Sequence, residues 1–211
     1  ISATESILAA GKLYCNENDL FSWLHPVIWY TEYDAGNPRA GAIAMHRREC
    51  ANDAVHGAVS QRFGLMSSWH HDAELQADFA LQSRVCAEAL SLDRTPVEQI
   101  ALLVDDSSFA WTPPESTLAR RTNKELLHRL GHTGAPVGVW LLSDAGRLPE
   151  RIRFVVVASG AACDAETLAG LRGLLFAGGR TVLVVGTPGL VDPARGVRQP
   201  QVVAELLELP I

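Results

Sequence analysis

Gly11-Lys12-Leu13-Tyr14-Cys15-Asn16-Glu17-Asn18-Asp19, near the start of the chain, is a short apolar run that ends in a carboxylate set between two amides. A second acid follows two residues later. The pattern predicts a strand over Lys12–Cys15 that delivers Glu17 to the C-terminal edge of a sheet. In α/β barrels and open α/β sheets that edge is where chemistry is done.

Outward from this stretch the first half carries little strand. Ser2–Ala10 reads as the end of a helix, Arg39–His56 as a helix closed by Gly57, Arg62–Met66 as a second short strand and Ala73–Leu90 as a second helix. A loop rich in aromatics (Phe21, Trp23, Trp29, Tyr30, Tyr33) lies between the first strand and its helix. Two parallel strands leave faces and edges uncovered and do not make a stable sheet unaided. The first half is therefore expected to be a piece of something larger.

Beyond Ser91-Leu92-Asp93-Arg94-Thr95-Pro96 the grammar changes. Strands are predicted at Ile100–Val104, Val137–Leu142, Ile152–Ala158 and Thr181–Val185, the third with the continuous β-branched run of a parallel sheet covered on both faces. Helices are predicted at Glu115–Leu130, at Asp164–Phe176 ahead of Gly178-Gly179, and at Val202–Leu209 ahead of Pro210. Short connections between alternating strands and helices imply a doubly wound α/β layer of flavodoxin-like type. The two domains expected are thus 1–94 and 95–211.

The chain has 211 residues, 47% apolar and 20% charged, with a net charge of −6. Acidic and basic residues are mixed along its length, which argues against a nucleic-acid surface. No apolar run approaches the roughly 20 residues of a membrane span. It opens on Ile1 rather than Met, without a signal segment, so a processed, truncated or incompletely read product is expected. Cys15, Cys50, Cys86 and Cys163 are widely spaced and form no CxxC pair. They are expected to be reduced, semi-buried thiols rather than a disulfide framework or a zinc site, which favours a cytoplasmic setting. No metal or other cofactor is expected.

Taken in order, these residues resemble the C-terminal part of a glycoside hydrolase family 42 type β-galactosidase. Gly11-Lys12-Leu13-Tyr14 leading to Glu17 and Asp19 is similar to the seventh strand of the family's (β/α)8 barrel. His46-Arg47-Arg48-Glu49 followed by Gly57 is similar to the next helix and its cap. Phe63-Gly64-Leu65-Met66-Ser67-Ser68-Trp69-His70-His71-Asp72 is similar to the eighth strand and the loop bordering the sugar site. Ile100-Ala101-Leu102-Leu103-Val104-Asp105 and Gly178-Gly179 are similar to the flavodoxin-like, class I amidotransferase-like trimerisation domain. One position departs from the pattern: Leu65 stands where such relatives carry an acid. The resemblance implies the last strand–helix units of an incomplete barrel plus a trimerisation domain. It further implies retaining hydrolysis of terminal β-galactosides with Glu17 as nucleophile, and a homotrimer. The acid/base is expected outside these residues, so the chain alone is expected to be inactive. Substrate contacts fall to Trp69, Trp23, Asn16 and Asp19.

Each of these residues has a plainer reading. Glu17 is equally a surface acid at a strand end. Glu32 and Asp34, in Trp29-Tyr30-Thr31-Glu32-Tyr33-Asp34, also follow an apolar run, and Glu32 is second choice for nucleophile. Trp69 and Trp23 are sugar platforms or core. His70, His71 and Asp72 suggest a metal cluster, but adjacent histidines on an extended segment point opposite ways. Asp72 is better placed as the N-cap of the helix at Ala73. Arg47, Arg48 and Glu49 fit a solvated helix face. Cys163 lacks the Gly-x-Cys-x-Gly elbow of amidotransferases, and Gly186-Thr187-Pro188-Gly189 lacks the end of a phosphate loop. The competing class is a non-catalytic oligomerisation or carbohydrate-binding module.

Overall fold

The computed structural model describes residues 2–25, 38–64, 69–113, 116–117, 120–176 and 179–210. Trp29, Tyr30, Glu32, Tyr33, Asp34, Leu65, Met66 and Gly178 lie outside the described residues. In chain order the elements are α1 (Thr4–Ala9), β1 (Cys15–Asn18), α2 (Pro38–His56), β2 (Val59–Arg62), α3 (Ala73–Ala89) and β3 (Ile100–Val104). They continue with α4 (Leu126–Gly131), β4 (Val137–Leu141), β5 (Phe154–Ala158), α5 (Ala165–Phe176), β6 (Thr181–Val185), β7 (Val191–Asp192), β8 (Val197–Arg198) and α6 (Pro200–Leu207). Short 3₁₀ segments run over Ser107–Trp111 and Leu142–Arg147, and a π-helical turn over Arg120–Glu125 leads into α4.

Two compact units form: Lys12–Pro96, and Ile1–Gly11 together with Val97–Ile211. The segment before Gly11, assigned to the first half on sequence, thus groups with the second. Its helix α1 packs on β4, where Glu5 Oε2 accepts a hydrogen bond from Val139 N and Ser6 Oγ accepts one from Leu141 N, both 2.8 Å. β4 is an edge strand, and alternate N–H groups of an edge point away from the sheet. Glu5 and Ser6 supply the acceptors that a neighbouring strand would otherwise provide.

In this unit the four strands form one parallel sheet in the order β4-β3-β5-β6. Ile100 stands opposite both Val137 and Phe154, and Phe154 opposite Thr181. Because successive side chains alternate faces, the β-branched runs feed two cores. Ala101, Leu103, Val155 and Val157 pack with Trp140, Leu142, Leu171, Leu174 and Leu206 on one face. Leu102, Val104, Val139, Val156 and Ala158 pack with Ala3, Leu126, Leu127 and Leu130 on the other. Gly170 of α5 lies against Gly146 of the 3₁₀ segment so closely that a Cβ would sit 3.2 Å from Gly146 N.

The unit Lys12–Pro96 is built as β1-α2-β2-α3, with β1 and β2 parallel. α2 buries Ala42, His46, Cys50 and Asp53, which recur every three or four residues along one stripe. α3 turns Leu75, Asp78, Phe79 and Gln82 inward. Gly57, at φ +68°, ends α2 in the left-handed conformation, and a Cβ there would meet the Arg94 guanidinium at 2.5 Å.

Several boundaries differ from expectation. β1 begins at Cys15, three residues later than predicted, because its ladder is set by β2: Cys15 faces Val59 and Asn18 faces Arg62. Leu13, read as strand, is left exposed. β2 starts at Val59 rather than Arg62, where it pairs with Cys15 of β1. The last helix begins at Pro200, a residue suited to the first helical turn because it has no N–H to satisfy there. The 3₁₀ segment at Leu142–Arg147 and the β7–β8 pair were not predicted.

Candidate active site

The β1–β2 ladder has two unlike faces. Asn16, Asn18, Ser60 and Arg62 lie on the face covered by α2 and α3, and all are buried or half-buried. Cys15, Glu17, Val59 and Gln61 occupy the other face, and all four are exposed. Glu17 is therefore the third residue of a strand, directly opposite Gln61, on a face that no element of the unit covers among the described residues. Asp19, just beyond the strand, is exposed as well.

The covered face explains the amides. Asn16 Nδ2 donates to Asp53 Oδ1 at 2.9 Å, and Asp53 is fully buried on α2. Asn18 is buried, and its Oδ1 accepts from Leu20 N at 3.3 Å. Both side chains are thus committed away from Glu17, and neither holds its carboxylate. The sequence places the amides next to the acid, but the two-residue period of a strand puts them on the opposite side.

Behind the ladder lies a polar network. Arg47 pairs with buried Asp78 at 2.5 Å, Gln82 Nε2 donates to Asp78 Oδ2 at 2.6 Å, and Arg62 donates to Gln82 Oε1 at 2.7 Å. The Arg62 guanidinium also lies 4.1 Å from the Phe79 ring centre. A chain of charge-assisted bonds therefore joins α2, α3 and β2, and it rigidifies the layer on which β1 rests. Arg48, by contrast, pairs with Glu49 on the exposed surface.

His46 is fully buried, with its ring edge-on to His70 at 5.5 Å and to Phe79 at 5.0 Å. Burial, reinforced by His70 and Arg62, pushes the imidazole down to about 4, against the opposing pull of Asp78 and the Phe21 backbone. It is a neutral core ring. Its burial was not foreseen, although its place on the Ala42–His46–Cys50–Asp53 stripe carries the signal.

Trp69 is 4% exposed and packs among Phe21 at 4.5 Å, His25 at 4.8 Å and His70 at 6.0 Å. Its carbonyl accepts from Ser22 Oγ. Trp23 is half-buried and carries the Arg39 guanidinium over its ring at 4.7 Å. As described, Trp69 is a core ring, and Trp23 offers one face to a cation. Asp72 caps α3, accepting from Glu74 N and Leu75 N, and pairs with Arg39 at 2.6 Å. These backbone bonds and the Arg39 pair hold its carboxyl below the usual range against the cost of burial. Among the described residues, no three His, Cys, Asp or Glu side chains are grouped to hold a metal ion.

In the other unit, the crevice between the C-terminal ends of β3 and β5 is where open α/β sheets bind ligands. Here it is closed by the chain itself. Asp105 accepts from the backbone and hydroxyl of both Ser107 and Ser108. Those hydroxyls in turn meet Ala162 O and Ala162 N, both at 2.9 Å. Cys163 is buried, its thiol donates to Gly160 O, and burial beside Asp105 pushes it up to about 12. Asp164 accepts from Thr167 N at 2.8 Å and so begins α5. This arrangement makes Cys163 a poor nucleophile. A recess of about 260 Å³ lies beside Ser2, Asp105 and Asp106. A more open one of about 830 Å³ runs along Arg120, Lys124, Glu125, His128 and His132.

Compared with known proteins, the chain matches no family model, no curated protein and no solved structure. What fold and site define is a mixed α/β protein with a four-stranded parallel sheet in one unit and an exposed acid on a parallel β-pair in the other. No helix among the described residues is long and apolar enough to cross a membrane.

Proposed function

We propose that this chain is the C-terminal part of a retaining β-glycosidase, with a β-galactoside as substrate, and that Glu17 is the nucleophile. The observation that carries the reading is the two-faced β1–β2 ladder. Its helix-side positions are filled by Asn16, Asn18, Ser60 and Arg62, whereas Glu17 stands on the opposite, uncovered face. In a (β/α)8 barrel that opposite face is the interior, from which catalytic acids project at the C-terminal end. β1-α2-β2-α3 then corresponds to the last two strand–helix units, and the order β4-β3-β5-β6 to the opening of a flavodoxin-like sheet used for contact between subunits, in a trimer. The self-sealed crevice around Asp105 and Ala162 fits a domain that does no chemistry.

The chemistry follows from the acid's position. A Glu17 oxygen attacks the anomeric carbon while a second carboxyl group, about 5–5.5 Å away, protonates the departing oxygen. The glycosidic C–O bond breaks and a glycosyl ester on Glu17 forms. Water, deprotonated by the second group, then breaks the ester. That second group lies outside this chain. Cys15 and Gln61 share the exposed face with Glu17.

The test uses the full-length protein carrying this chain. Glu17→Ala should lower turnover of an activated galactoside by about 10³-fold or more. Added azide should restore it and yield the galactosyl azide of inverted configuration. Retention of wild-type turnover by the variant would overturn the assignment. The chain Ile1–Ile211 alone should turn over no glycoside.

A further inference from the structure

α2 and α3 meet through a pair of thiols that the site does not use. Cys50 is buried on the inner stripe of α2, Cys86 is half-buried on α3, and their sulfurs lie 3.1 Å apart. That is about 1 Å more than a disulfide bond. Among the described residues each sulfur otherwise meets a backbone carbonyl at long range, Gln82 O at 3.7 Å for Cys50 and Cys50 O at 3.9 Å for Cys86. The residues are 36 apart in sequence and come together only in the folded unit.

We propose that Cys50 and Cys86 are a modification site: they form a reversible disulfide that staples α2 to α3 when the protein meets a small disulfide oxidant such as oxidised glutathione. Their different burial sets the order of events. Burial and the neighbouring Cys86 thiol push Cys50 up to about 12, so Cys50 stays protonated and does not start the exchange. Cys86, partly open to solvent, attacks one sulfur of oxidised glutathione. One reduced glutathione leaves and a mixed disulfide forms on Cys86. The Cys50 sulfur then gives up its proton and displaces the second glutathione. In sum, two thiols and one oxidised glutathione become one protein disulfide and two reduced glutathiones, with two electrons passing to glutathione. The staple fixes the helix whose Asp53 holds Asn16, the residue before Glu17. It is independent of whether Glu17 is catalytic.

The test is exposure of the native chain to oxidised glutathione, followed by peptide mapping without reduction and by thermal unfolding. The expected product is a linked peptide pair joining Cys50 to Cys86, with the unfolding midpoint raised by about 5 °C or more and restored by dithiothreitol. Cys50→Ser should stop the reaction at glutathione bound to Cys86. The proposal is overturned if the native chain keeps its four thiols after this exposure, or if the linked peptides join Cys15 or Cys163 instead.

Discussion

Asn16 and Glu17 are consecutive in β1 and face opposite ways. The Asn16 amide donates to the fully buried Asp53 at 2.9 Å, while Glu17 stands exposed opposite Gln61. One residue therefore anchors the strand to its helix and the other stands on the exposed face. Asn16→Ala removes a donor to a buried carboxylate and should lower stability by about 1–3 kcal/mol. Glu17→Gln should leave the unfolding midpoint where it was. Urea unfolding of both variants checks this, and equal losses would show that Glu17 is structural.

The sheet edge makes the second prediction. Val139 N and Leu141 N depend on Glu5 and Ser6 for acceptors. Glu5→Ala should cost about 1–3 kcal/mol by leaving a buried N–H unpaired. Deleting residues 1–11 should expose the β4 edge and drive self-association, read by light scattering. A monodisperse deletion variant of unchanged stability would contradict the assigned role of α1.

His46 makes stability depend on pH. Its folded pKa of about 4 lies below the ordinary 6.5 that applies in the unfolded chain. Between these values the unfolded state binds the extra proton, so stability rises with pH and the full benefit is present above about 6.5. It is lost as pH falls toward 4, by about 3 kcal/mol in all. His46→Phe, keeping the edge-on packing against Phe79, should flatten this part of the profile relative to the native chain. An unchanged slope would mean that the ring is not buried as a neutral group.

Thiol reactivity should follow burial. Cys15 lies on the open face of β1, whereas Cys163 is sealed beneath Gly160 and held near 12. Iodoacetamide under native, reducing conditions should alkylate Cys15 and spare Cys163, as peptide mapping will show. Rapid alkylation of Cys163 would reopen a nucleophilic role for it.

Much of this architecture was legible from residue order. β3 and β6 fall where their apolar runs begin and end, because an unbroken apolar run bounded by polar residues marks a strand of a covered parallel sheet. Asp72 caps α3 as its place before Ala73 implied. The short ladder was less legible: Cys15-Asn16-Glu17-Asn18 has no apolar alternation, so only pairing with Val59–Arg62 fixes its bounds. Strand periodicity turns Asn16 and Asn18 to the face opposite Glu17. Trp69 read as a sugar platform from its position after a strand, yet Phe21, His25 and His70 enclose it. Long-range aromatic packing of this kind leaves no local pattern. The helix at α1 was legible over Ser2–Ala10, but its docking was not: it bonds to β4 across more than 130 residues through two side chains, which no local signal announces.

The central claim is that Glu17 forms the glycosyl ester. Its most direct test is to treat the full-length protein carrying this chain with a 2-deoxy-2-fluoro-β-galactoside and map the labelled peptide by mass spectrometry. The account predicts one fluorosugar, on Glu17. A label on Glu32 would keep the reaction and move the nucleophile. The absence of any label, together with no turnover of other glycosides, would contradict the account and favour a non-catalytic oligomerisation module.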